Sequence, residues 1–150
     1  MLPIKKQSII PRIDGVERDV ERLRNLRRLE PEKFQEEDNF SLAQFYLRRA
    51  LEGAFHIGNH LLSRLSGGRS TQYKEIAKAL GEKEIVDRSF ADNNLVKMAG
   101  YRNRLTHFYA DISPEELYKV LNNDLGDFDF FLTAIKELLQ NPEKYNLELE

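Results

Sequence analysis

Apolar residues recur at intervals of three and four along most of the chain, and no stretch sustains the period-two alternation of a half-buried strand. Such a chain is expected to fold as packed α-helices. The longest signal runs from about Ser41 to Leu65, where Phe45, Leu47, Leu51, Phe55, Gly58, Leu62 and Leu65 form a broad apolar face. Ahead of it, Val16, Val20, Leu23 and Leu26 make a stripe on a first helix that Asp14 can cap and that ends near Leu29. Arg and Glu alternate on its other face, as on a solvated surface. Glu30-Pro31 breaks that helix, and Phe34 and Phe40 anchor the connection. Ser66-Gly67-Gly68 is expected to end the long segment.

Thr71 can cap a shorter helix that reaches Leu80 and stops at Gly81, and Asp92 can begin another through Leu95, Met98 and Leu105 to about Phe108. Ser113-Pro114-Glu115-Glu116 places proline at the first helical position and acids in the first turn. From there one long helix is expected through Leu117, Val120, Leu121, Leu125, Phe128, Phe131, Leu132, Ile135 and Leu139, until Asn141-Pro142 stops it. The reading is an all-α, antiparallel bundle of four to five helices. It is one domain over residues 1–150, with its core at about 12–140 and a loose tail at 141–150. Leu149-Glu150 could be a cloning remnant.

A chain of 150 residues can bury a core without staples. It has no Cys, which excludes disulfides and thiolate metal sites. Its net charge of -2 argues against a protein devoted to coating nucleic acid, but leaves room for a local basic site. No apolar run approaches the roughly 20 residues that span a bilayer. The start, Met-Leu-Pro-Ile-Lys-Lys, lacks a signal peptide's apolar stretch. The expected setting is the cytoplasm, with no membrane contact.

Between Asn93 and Ala110 there is no acid, while Lys97, Arg102 and Arg104 are basic. By charge alone this could be a solvated helix face. The residue types offer more. Arg carries a planar fork of donors suited to phosphate, and His exchanges protons near neutrality. Asn103 lies four positions before His107 and shares its stripe. Together they suit RNA cleavage in which the ribose 2′-OH attacks the adjacent phosphate. His107 would transfer the proton and Arg102 would stabilise the anionic phosphate, with no metal or other cofactor required. Five residues on an ideal helix amount to roughly 140° of rotation, so one helix does not aim Arg102 and His107 at one point. A symmetric dimer could join two such segments across its axis.

Arg102, four residues, His107, one residue, Tyr109 resembles the Arg-x4-His-x-Tyr motif of the HepT family of HEPN-domain proteins, with Asn103 directly after the arginine. The resemblance extends from about Arg12 to Leu139, including Leu95-Val96-Lys97-Met98, Leu125-Gly126-Asp127-Phe128, Glu52 and Asn59-His60. It implies a HEPN-type helical bundle that forms a homodimer and acts as a metal-independent endoribonuclease toxin of a type VII-like toxin–antitoxin pair. It implies as partner a small nucleotidyltransferase antitoxin of the MntA type, which silences the toxin by attaching AMP to the motif tyrosine, here Tyr109. On this reading Arg102 and His107 are catalytic, and Asn103 and Arg104 are supporting phosphate contacts.

Glu52, His56 and His60 are spaced by four and share a stripe, a pattern that can hold a metal. The resemblance offers no metal there, and the stripe is read as a cleft rim or partner surface. Tyr46, Tyr73, Tyr101 and Tyr118 are read as packing residues. The alternative function is a non-catalytic helical module that docks a nucleotidyltransferase and a nucleotide.

Overall fold

The computed structural model describes residues 2–65 and 70–150. The first long helix, α1, spans Lys6–Arg27 and passes through Pro11. Asp14 is therefore an interior residue and not a cap. The helix starts two turns before that expectation because Ile9 and Ile13 extend the Val16, Val20, Leu23 stripe and are buried. Their burial offsets the backbone hydrogen bond that an interior proline forfeits.

After a single turn, α2 (Pro31–Phe34), which buries Phe34 completely, the chain enters α3 (Glu37–Leu62). This helix begins one turn before Ser41. Leu47, Leu51, Phe55, Leu61 and Leu62 of α3 are buried, but Phe45 stands 42% exposed on the outer face. The expected stop at Ser66-Gly67-Gly68 lies outside the described residues.

Helix α4 (Tyr73–Glu82) runs through Gly81 and does not stop there. A Cβ on Gly81 would come within 2.6 Å of the Ala91 Cβ, so this glycine serves a close approach of two segments. The next helix starts at Asp87, whose carboxylate accepts from the Phe90 backbone N–H at 3.1 Å. A short α5 (Arg88–Phe90) passes into a π-helical turn (Ala91–Leu95) and then α6 (Val96–His107). Asp92, expected as the cap, sits inside the π-turn.

Ser113 caps α7 (Pro114–Asn123) as expected, accepting from the Glu116 N–H at 3.1 Å. The expected long final helix is two: α7 ends at Asp124, and α8 (Gly126–Gln140) follows. Leu121, Leu125 and Phe128 are all buried, so the apolar pattern continues across the break and hides it.

The tail is not loose. Pro142–Tyr145 forms a 3-10 turn, Leu147 is buried, and Leu149 pairs with Ile4 in a parallel bridge, the only β-type pairing among the described residues. The Ile4 N–H donates to the Glu148 carbonyl at 2.7 Å, and the Glu150 N–H donates to the Ile4 carbonyl at 2.8 Å. Buried side chains of α1, α3, α4 and α6 to α8 merge into one apolar cluster. Among the described residues, no helix is long and apolar enough to cross a membrane.

Candidate active site

Helix α6 ends at His107 because Phe108 leaves helical geometry (φ -133°, ψ 32°). A 3-10 turn, Tyr109–Asp111, follows, and Ile112, buried in the core, fixes the exit of the chain. The consequence is a projecting helix end with His107 exposed, Phe108 59% exposed and Tyr109 62% exposed. The His107 ring meets Phe108 edge-on, with centroids 6.4 Å apart.

One turn and a half earlier, Arg102 is only 20% exposed in its side chain. Its NH2 donates to Glu52 Oε2 at 3.0 Å, and its NH1 reaches Asn103 Oδ1 at 3.3 Å. The guanidinium lies 4.3 Å above the centroid of the Tyr73 ring, which stacks in turn on Phe55. Burial pushes the Tyr73 phenol above its ordinary range. Arg102 Nε is buried with no hydrogen-bond partner among the described residues. The group is thus oriented by α3 and α4, and each terminal nitrogen keeps one further N–H on a side chain that is partly exposed, a state suited to receiving an anion.

Asn103 turns toward Arg102 through the 3.3 Å contact. Arg104 faces the other way. Its NH1 and NH2 donate to Glu116 of α7 at 2.6 and 3.1 Å, and Glu116 also accepts from the Tyr101 hydroxyl at 2.8 Å. Arg104 holds the Glu116 carboxyl below the usual carboxylate range, and burial followed by the Glu116 hydrogen bond drives the Tyr101 phenol far up. A phosphate approaching Arg104 would have to compete with a bidentate carboxylate. The acid-free stretch of sequence is therefore answered in space by Glu52 and Glu116 from other helices.

Among the described residues no hydrogen bond joins Glu52, His56 and His60 to one another. Only Glu52 joins Arg102. His56 Nδ1 accepts from Arg12 at 3.0 Å, while His60 Nε2 accepts a long contact, 3.4 Å, from the Lys5 backbone N–H. Tyr73, read as packing alone, was missed as a neighbour of Arg102. It lies on a separate helix, so no spacing within the motif could point to it.

The fold and site define a small helical domain in which one helix, α6, carries the held Arg102 and, at its end, the exposed His107, with the exposed Tyr109 just beyond. The chain belongs to the family described as Ribonuclease HepT-like, whose model matches residues 16–135. Among curated relatives it is 29% identical over 100 residues, 67% of either chain, to the tRNA nuclease HepT of Aphanizomenon flos-aquae. It is 28% identical over 90 residues, 60% of this chain and 67% of the other, to the mRNA nuclease HepT of Shewanella oneidensis. In fold it is similar to a solved, tri-AMPylated Shewanella oneidensis HEPN toxin in complex with an MNT antitoxin. There the TM-score is 0.77 at 24% identity, over 86% of this chain and 96% of that one. A toxin–antitoxin structure with AMP-PNP gives 0.75 at 24% identity, over 85% and 95%.

Proposed function

We propose that this chain is the endoribonuclease toxin of a toxin–antitoxin pair and that it cleaves RNA with Arg102 and His107. The observation that carries the reading is the state of Arg102, which Glu52 and Tyr73 orient while each of its terminal nitrogens keeps one N–H beyond the contacts it makes. In the reaction the ribose 2′-oxygen forms a bond to phosphorus as the bond to the 5′-oxygen breaks. The products are a cyclic phosphate and a free 5′-hydroxyl. His107 moves one of the two protons and Arg102 stabilises the charge on the phosphate. Asn103 supports Arg102. A second copy of the chain, paired about a two-fold axis, supplies the other acid–base group. No metal takes part.

The partner is a nucleotidyltransferase antitoxin that attaches AMP to Tyr109. Its exposure of 62%, two residues beyond His107, makes the phenol reachable. The added phosphate would occupy the anion site at Arg102. The compartment is the cytoplasm.

The test is cleavage of total RNA by the purified protein in chelator, wild type beside His107→Ala. Cleavage by the wild type alone is expected. Equal cleavage by both would remove His107 from the mechanism. A wild type that binds a nucleotidyltransferase but never cuts RNA would favour the non-catalytic docking module. Co-expression with the nucleotidyltransferase should add AMP units in intact-mass spectra, and Tyr109→Phe should abolish them.

A further inference from the structure

Helix α3, which brings Glu52 to Arg102 of α6, also borders a groove that the reaction above does not use. It has a volume of about 550 Å³ and lies between α1 and α3. Arg12, Arg18 and Arg22 line it from α1, and Arg49 from α3, against the carboxylates of Asp19 and Glu52. Residues 12, 15, 18 and 22 recur at three and four, so they share one face of α1 that rises about 15 Å along the helix. The chain as a whole carries a net charge of -2, so this concentration of guanidinium groups is local.

The two carboxylates do not cancel the cations. Asp19 is 3% exposed and is the buried charged residue among the described residues. It accepts from Arg49 at 2.8 and 2.7 Å and from Arg22 at 3.3 Å, so it acts to aim these two side chains. Glu52 is occupied by Arg102. Arg18 makes no ion pair among the described residues, and Arg12 meets only the neutral acceptor of His56. Burial, with the charge of Arg12 adding to it, holds His56 below its ordinary range, so at neutral pH that ring takes no cation's place. At the far end Arg49 lies 4.8 Å over the ring of Phe45, which is exposed, and Arg22 lies 5.2 Å over Tyr46. One end of the groove is thus an aromatic and guanidinium platform, the other is Arg12 with His56, and between them Glu52 holds the proposed catalytic arginine.

A cationic groove with exposed aromatic rings is the arrangement that holds single-stranded nucleic acid, phosphates on arginines and bases on rings. We propose that this α1–α3 groove carries the RNA strand flanking the cleaved phosphate. Arg12 and Arg18 contact backbone phosphates, and a base stacks on the Phe45 and Arg49 platform. The proposal rests on the ribonuclease reading and adds the path of the substrate. Phosphate contacts carry no base information, so the groove sets affinity and register rather than the choice of sequence.

The experiment compares wild type with Arg18→Glu, with Arg12→Gln/Arg18→Gln and with Phe45→Ala, each checked for helical content and melting. The probes are a long single-stranded RNA, its non-cleavable 2′-O-methyl form, and a dinucleotide too short to reach the platform. For the long RNA, KM should rise at least about fivefold in each variant while kcat holds, with stacking setting the scale for Phe45. Dinucleotide cleavage should not change. Removing both arginines should reduce the salt slope of 2′-O-methyl RNA binding by about 1.4, at roughly 0.7 per phosphate contact. Unchanged KM and salt slope would overturn the groove while leaving the ribonuclease reading intact. The groove would also be overturned if the variants cut RNA normally but escaped inhibition by a nucleotidyltransferase, since that marks a protein-docking face. If the wild type binds RNA through the groove yet never cuts it, the groove stands and the ribonuclease reading fails. If the wild type neither binds nor cuts RNA, both fall.

Discussion

Arg102 and Arg104 stand two residues apart on α6, which turns them about 200° from each other. They share residue type, helix and local charge, yet their surroundings differ. Arg102 points into the angle between α3 and α4, holds one carboxylate oxygen and rests on an aromatic face. Arg104 spans to α7 and gives both terminal nitrogens to Glu116. A bidentate carboxylate satisfies a guanidinium fork and ties two helices together. A single carboxylate contact, with the second N–H of each terminal nitrogen unspent, orients the fork without exhausting it. The difference separates an arginine disposed to bind an incoming phosphate from one disposed to fix α7.

The comparison breaks most easily at activity. Arg102→Ala should lower kcat for RNA cleavage by about 100- to 1,000-fold, the usual loss for a donor aimed at developing charge. Arg104→Ala should leave kcat within a few-fold. Single-turnover cleavage of one labelled RNA measures both, and a larger loss for Arg104→Ala would invert the assignment.

The next effect is smaller and tests how Arg102 is held. Tyr73→Leu keeps an apolar surface against Phe55 but removes the ring face. A cation over an aromatic ring is worth roughly 0.5 to 2 kcal/mol, so kcat should fall about tenfold. If Tyr73 only packs, Tyr73→Leu will lower the melting temperature and leave kcat alone. Tyr73→Phe should preserve the rate, since the ring carries the contact.

Much of the fold was legible because its signals are local. The Ser113 cap, the Pro114 start and the stripe of Val16, Val20 and Leu23 depend on near neighbours in the chain, and each appears in the structure. Some departures are local too, such as the cap at Asp87 in place of Asp92, but three depend on contacts the spacing does not show. The tail is held by Ile4, Gly81 lies inside a helix because Ala91 packs on it, and the break at Asp124 is masked by Leu125 facing the core. The candidate site divides in the same way. The spacing of Arg102, His107 and Tyr109 is visible in one segment, whereas the positioning of Arg102 comes from Glu52 and Tyr73 on two other helices. Spacing groups Glu52 with His56 and His60, because spacing on one helix cannot reveal a partner on another.

The stability counterpart concerns Arg104. Its side chain is 40% exposed and that of Glu116 is 35% exposed, so solvent screens the pair. Glu116→Gln should cost less than about 1 kcal/mol in urea unfolding, and the loss should shrink further in high salt. A salt-insensitive loss well above that would mean that the Tyr101 hydroxyl, and not the ion pair, is the main dependency.

The smallest effect is a division of pH windows between the two regions. On α3, His56 is held below its ordinary range by burial first and then by Arg12, with Arg102 acting the same way and Glu52 opposing. His60 is held down by burial, then Arg64, Arg12 and Lys5. Arginine can only donate, so His56 Nδ1 must be unprotonated to accept from Arg12. Protonation costs that contact and sets charge against charge. For each histidine the unfolded chain therefore binds the proton more readily than the folded one. Stability from this source is present above the unfolded histidine value, about 6.5, and is lost as pH falls through the lower folded value. Glu116 acts in a separate window. Its folded carboxyl is depressed by Arg104, so its contribution is present above the unfolded carboxylate value, about 4.3, and disappears as pH falls below it. Melting temperature followed from pH 8 to pH 3 should decline in two steps. His56→Gln/His60→Gln should flatten the upper step alone, and Glu116→Gln the lower one alone. A single step that either variant removes would mean that the two regions unfold as one electrostatic unit, and the contrast between the α3 and α7 sides of α6 would lose its thermodynamic meaning.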